Sequence, residues 1–279
     1  MTAIREDICD GIRYRERPGS GPVVVFLHGI GSNAGSFGPI LSRLPSGVRG
    51  IAWNAPGYGG SRRLALDWPV AADYAEALAG FLDGLGVERA VIVGHSLGTL
   101  MGAAFAARDP ARVAHLVLAS CACGYGVRPG DPLPAGVQKR IDDLLRQGPE
   151  AFARDRAARL VFEPENNPDL VEQVRRGMAA VDLDGYPQAV RMLGAGDLPA
   201  ALRDVHVPTG FIIGVNDQVT PEQQTIDAAT AWGQSNARKP MIERIERAGH
   251  AVYLQAPDAF IAALGRLAGL DPLGTQEGM

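Results

Sequence analysis

The run Val91-Ile92-Val93-Gly94-His95-Ser96-Leu97-Gly98-Thr99-Leu100-Met101 constrains the fold more than any other stretch of this chain. Apolar positions lead in as a strand would, and a helical pattern leads out. Ser96 therefore stands where a strand stops and a helix starts, in backbone geometry that a bulky neighbour two residues away on either side would obstruct. Gly94 and Gly98 remove the obstruction. The spacing is that of a G-x-S-x-G nucleophile elbow, which lifts one hydroxyl clear of a sheet and sets it beside a helix N-terminus. Without that motif Ser96 would read only as a helix cap.

Composition narrows the setting. At 279 residues and 46% hydrophobic, the chain has ample material for one large α/β core or two small ones. A net charge of -4 carries no signal for nucleic acid or an anionic membrane. Cys9, Cys121 and Cys123 are too few for a disulfide framework and lack the paired spacing of a zinc site, so a reducing compartment is expected and no metal or other cofactor is called for. Arg5, Glu6 and Asp7 fall where a signal peptide would be apolar, and no run approaches the roughly 18 apolar residues of a membrane span. The expectation is a cytoplasmic protein, with its oligomeric state left open.

Short apolar runs alternate with helical patterns, which predicts a doubly wound, mostly parallel sheet with helices on both faces. Ala3 to Arg15 reads as two edge strands joined at Asp10-Gly11. Strands follow at Val23–Leu27, Gly50–Trp53, the elbow and Val113–Leu118. A helix from Pro69 presents Tyr74, Leu78, Phe81, Leu82 and Leu85 on one face, and another runs from Leu97 to Ala107. The alternation stops at Cys121. From Gly124 to His206 only short amphipathic patterns occur, among them the stripe Val137, Ile141, Leu144 and Leu145. Strands resume at Phe211–Val215 and Met241–Ile245, followed by a helix at Pro257–Leu267. Residues 1–123 and 207–279 thus read as one core domain and 124–206 as a helical lid inserted between two strands of its sheet, since helices this short would struggle to hold a core alone. The tail from Gly269 to Met279 is expected to pack loosely.

With these segments placed, the chain resembles the α/β-hydrolase superfamily over nearly its whole length. The likeness rests on His28-Gly29-Ile30-Gly31, Pro56-Gly57-Tyr58-Gly59-Gly60-Ser61, Gly94-His95-Ser96-Leu97-Gly98, Gly214-Val215-Asn216-Asp217 and Ala248-Gly249-His250, each at the carboxyl end of a predicted strand. That edge is where open α/β sheets bind ligands. Thr99 departs from the pattern, because many relatives carry a small glycine there.

A serine hydroxyl needs a base to take its proton as it attacks. Among five histidines, His28 is placed to brace its loop, His95 is locked in the elbow, His115 lies in a strand and His206 in a connector. His250, in a strand-to-helix loop after a glycine that lets the chain bend, is the expected base. The imidazole needs a carboxylate, and Asp217 is the first acid after the strand that leaves the lid. This gives the chain order Ser, Asp, His that the resemblance implies. Some relatives place the acid one strand earlier, where Ser120-Cys121-Ala122-Cys123 offers none. As a plain alternative, Asn216-Asp217 is a turn. The backbone amides of Ile30 and Leu97 are the expected oxyanion donors, with Gly29, Gly94, His95 and Gly98 supporting the turns.

The stripes of Val, Leu, Ile, Met and Phe in the lid suggest a shelter for an apolar or mixed small-molecule substrate. Gly124 to His206 holds eleven basic and thirteen acidic residues, so bulk charge decides nothing there, although single arginines such as Arg128 or Arg191 are candidates to grip a carboxylate. A serine at the elbow argues against dehalogenases and epoxide hydrolases, which use aspartate. The resemblance implies a serine hydrolase of a carboxylic ester or lactone. Its alternatives are cleavage of a carbon-carbon or amide bond in a ring-cleavage product, cofactor-free oxygen chemistry, and a non-catalytic ligand receptor.

Overall fold

The computed structural model describes residues 3–270. Eight strands form one sheet: β1 (Arg5–Cys9), β2 (Ile12–Arg17), β3 (Val23–Leu27), β4 (Arg49–Trp53), β5 (Ala90–His95), β6 (Val113–Ala119), β7 (Thr209–Gly214) and β8 (Met241–Ile245). Among the described residues ten α-helices accompany it: α1 (Gly38–Arg43), α2 (Ala71–Gly84), α3 (Leu97–Arg108), α4 (Ala135–Arg154), α5 (Pro168–Ala179), α6 (Gly185–Ala195), α7 (Leu198–Ala201), α8 (Glu222–Asn236), α9 (Val252–Gln255) and α10 (Pro257–Ala268). The spatial order is β1-β2-β4-β3-β5-β6-β7-β8. The first two strands are antiparallel, with Cys9 opposite Ile12 across a turn in which Asp10 and Gly11 both take positive φ, and every pair from β4 to β8 is parallel.

Continuous apolar strands are what a sheet covered on both faces requires. Alternate residues serve opposite sides. Val25, Leu27, Ile92, Leu116 and Phe211 join a core with Trp53, Phe81 and Phe105. Val24, Phe26, Val93, Val117 and Ile212 face the other way into a second core with Phe37, Tyr253 and Phe260. After β3 the chain winds outward to β4, then returns to place β5 on the other side of β3. The loop that follows β3 and the elbow that follows β5 therefore open a crevice at the point where strand order reverses, the usual ligand position in such sheets.

Between β6 and β7 the chain forms α4 to α7 and short 3₁₀ turns. Val137, Ile141 and Leu144 are buried as their spacing predicts. Leu145 is not: at 59% exposed it points outward, because a fourth residue adjacent to Leu144 falls beyond a single helix face. Gly148, at φ 77°, breaks α4 just before Pro149. Helix α1 and the main part of α8 carry no strong stripe of their own, so the sequence did not announce them. Of the tail, residues 271–279 lie outside the described residues, and Gly269 closes α10 in left-handed backbone.

Candidate active site

Ser96 adopts φ 51° and ψ -116°, a strained geometry for a residue with a side chain, and begins α3. Sterics explain the flanking glycines. A Cβ on Gly94 would strike the Gly98 carbonyl, and one on Gly98 would strike the Leu27 carbonyl. A Cβ on Gly29 would stand 2.9 Å from that of Ser96. Thr99, the departure noted in the motif, has a structural use: its buried hydroxyl donates to the Ser96 carbonyl at 2.5 Å, adding a side-chain tie to the elbow.

Asp217 and His250 meet although 33 residues separate them, with Oδ2 2.8 Å from Nδ1. A carboxylate there can only accept, so Nδ1 carries the proton and neutral His250 has a free lone pair on Nε2. Asp217 is held from behind. Its Oδ1 accepts from the amides of Val219 at 2.8 Å and Thr220 at 2.9 Å, and its Oδ2 also accepts from the Thr220 hydroxyl at 2.9 Å. Burial alone would raise the carboxyl, but the His250 ring and these amides outweigh it and hold Asp217 at about 2. Thr220 was missed as a site residue. Its signal was present in the Asp-x-x-Thr spacing, which lets a side chain receive an amide and a hydroxyl three residues on.

His95 does more than fill the elbow. Its Nε2–H donates to the backbone carbonyl of His250 at 2.8 Å, which ties the histidine loop to the residue beside Ser96. Burial first, and the neighbouring His250 ring second, lower the His95 ring to about 3 and keep it neutral. His28 is equally committed. Its Nδ1–H donates to the Gly29 carbonyl at 2.9 Å and its Nε2 accepts from the Ala55 amide at 3.0 Å, pinning the turn after β4 to the loop after β3. Burial brings it to about 4. His115 lies within β6, and His206 contacts Asn236 on the exterior.

Gly249 takes no left-handed backbone, contrary to the expectation that it serves to bend the loop. Its constraint is proximity: a Cβ would stand 2.8 Å from the Phe162 nitrogen and 2.9 Å from the Leu160 carbonyl. The Ala251 amide donates to that carbonyl at 2.9 Å, and the Gln255 side chain bridges Phe162 and Gly249. The insertion is thus stitched directly to the His250 loop.

Three cavities, of about 250, 330 and 190 Å³, meet around Ile30. His250 opens on the first two and Ser96 on the third, and the second and third share Ile30, Arg140 and Val219. Ile30 and Leu97, the two expected oxyanion donors, border the cavity that holds Ser96. As the first residue of α3, Leu97 has an amide with no acceptor inside its helix. Of the arginines singled out from the sequence, Arg191 donates to the Asp67 carbonyl on the exterior and Arg128 is exposed in the turn after β6, so neither reaches the site. No helix among the described residues is long and apolar enough to cross a membrane.

A serine on a strained strand-to-helix turn and a buried Asp-His pair, both at the carboxyl edge of a mostly parallel sheet, are features of the hydrolase class on α/β scaffolds. The model of the Alpha/beta hydrolase family matches residues 24–263, and the chain belongs to that family. It is 30% identical over 267 residues to the pimeloyl-[acyl-carrier protein] methyl ester esterase of Nitrosomonas europaea, covering 90% of this chain and 98% of the relative. It is 28% identical over 228 residues to 2-hydroxy-6-oxononadienedioate/2-hydroxy-6-oxononatrienedioate hydrolase 2 of Pseudomonas putida, covering 78% and 79% of the two chains. The crystal structure of the enol-lactonase from Burkholderia xenovorans LB400 superposes with a TM-score of 0.80 at 21% identity, over 95% of this chain and all of the other, which shows the shared fold. Family membership supports hydrolase activity.

Proposed function

We propose that this protein is a serine hydrolase that cleaves a small-molecule carboxylic ester or lactone through an acyl-enzyme on Ser96. The observation that carries the reading is the buried 2.8 Å contact between Asp217 and His250 Nδ1, which leaves Nε2 as the proton acceptor. Ser96 Oγ attacks the substrate carbonyl and its proton passes to His250 Nε2, while the Asp217 carboxylate stabilises the imidazolium. The amides of Ile30 and Leu97 receive the negative oxygen, each worth about 3 kcal/mol by the usual mutational measure. The imidazolium then gives its proton to the leaving alkoxide. Water activated by His250 enters, attacks the acyl carbon and releases the acid, returning the proton to Ser96.

In this reading residues 124–206 act as a lid, and the strap at Leu160 to Phe162 couples lid position to the histidine loop. Resemblance to an esterase at 30% identity supports ester chemistry over the other bonds this triad can cleave. Incubation with 4-nitrophenyl acetate, acid quenching and peptide mass spectrometry test the proposal. An acetyl group on the Ser96 peptide, absent from Ser96→Ala, is expected. Turnover with no acyl group trapped on that peptide, in wild type or in the slowed His250→Gln, would exclude the acyl-enzyme.

A further inference from the structure

The insertion has a balanced composition, yet its charges are sorted in space. The 330 Å³ cavity that reaches His250 is lined by Lys139, Arg140, Arg156 and Arg159 and, among the described residues, by no carboxylate. Asp143, buried beneath that wall, pairs with Lys139 at 2.7 Å, Arg146 at 2.7 Å and Arg156 at 2.6 Å. One carboxylate thus faces three cations, and Arg140 is not among its partners. Among the described residues Arg140 has no carboxylate partner; its neighbour is the buried hydroxyl of Tyr186. Among the described residues it is also the one cation that borders both this cavity and the one holding Ser96. One turn earlier on α4, Gly136 lines the same cavity, and nothing lies within 4 Å of where its Cβ would stand. The helix therefore presents a charge beside open space.

We propose that the substrate carries a second, ionised carboxylate that Arg140 receives while the scissile carbonyl sits at Ser96. This rests on the hydrolase reading above and adds the substrate class: a monoester or lactone of a dicarboxylic acid. Arg suits the task because its planar fork meets a carboxylate through two parallel hydrogen bonds. Lys139 and Arg156, only partly neutralised by Asp143, add an attractive field at the cavity wall.

The test compares two esters of equal acyl length, mono-4-nitrophenyl glutarate and 4-nitrophenyl pentanoate. Wild type is expected to favour the glutarate ester in kcat/KM. Arg140→Gln should lower the glutarate-to-pentanoate ratio about ten- to a hundredfold, the worth of a charge-assisted contact. Arg140→Lys should restore part of the ratio, and Arg191→Gln should leave it unchanged. A ratio indifferent to Arg140→Gln would overturn the proposal. Calorimetry of glutarate binding to Ser96→Ala separates this inference from the hydrolase reading. Arg140-dependent glutarate binding to Ser96→Ala, together with a wild type that turns over neither ester, would sustain the anion site and refute the acyl-enzyme, whereas wild-type ester turnover with no Arg140-dependent binding would do the reverse.

Discussion

Replacing Asp217 by asparagine preserves shape and removes a charge, and the surrounding donors dictate how the new amide must sit. The amides of Val219 and Thr220 are fixed and can only donate, so the asparagine oxygen must stay where Oδ1 is, leaving the NH₂ group at the position of Oδ2. That group faces the Thr220 hydroxyl and His250 Nδ1. To avoid two opposed donors, Nδ1 must lose its proton and Nε2 must gain it. In the proposed mechanism Nε2 then presents a hydrogen where the Ser96 proton needs a lone pair. Two contacts to a charged acceptor are lost, each worth about 1.5–3 kcal/mol. Their sum, about 3–6 kcal/mol, corresponds to roughly two to four powers of ten in rate. Steady-state hydrolysis of 4-nitrophenyl acetate measures the loss, and nitrogen NMR of the imidazole reads the tautomer. A variant within tenfold of wild type, or one whose proton stays on Nδ1, would refute this reasoning.

Thr220→Val removes one donor from Asp217 and leaves both backbone amides, so kcat should fall about tenfold, a smaller loss that the same assay resolves. Acid should destabilise the fold through its buried rings. His28 and His95, with pKa values of about 4 and about 3 against an ordinary 6.5, bind fewer protons folded than unfolded. Their contribution is intact above pH 6.5 and lost as pH falls toward those values, about 2 kcal/mol each by pH 5, which urea unfolding between pH 8 and 5 measures. His28→Asn should remove about half of that slope; an unchanged slope would contradict the assignment. Gly98→Ala forces a Cβ into the Leu27 carbonyl and should cost about 3 kcal/mol or more of stability in the same unfolding assay.

The sheet and the elbow were legible because they depend on local signals. Val23–Leu27 and Met241–Ile245 match the observed strands, and Gly94 is explained by its approach to the Gly98 carbonyl within the same turn. The pairing of Asp217 with His250 followed from which loops share one sheet edge. What the sequence hid depends on side chains meeting from distant segments. Nothing local marks His95 as an anchor for the His250 backbone, or Leu160 as a strap beside Gly249. Arg140 was indistinguishable from the other arginines of its block, since its position between two cavities arises only when α4 folds over the elbow. Counting charges averaged away a segregation that exists only in three dimensions.

Labelling with a fluorophosphonate tests the central claim most directly, because it demands an activated hydroxyl rather than a bound ligand. The account predicts stoichiometric modification of Ser96 in wild type, none in Ser96→Ala, and a severely slowed reaction in His250→Gln. Folded wild-type protein that resists the reagent, or modification at any other serine, would contradict it.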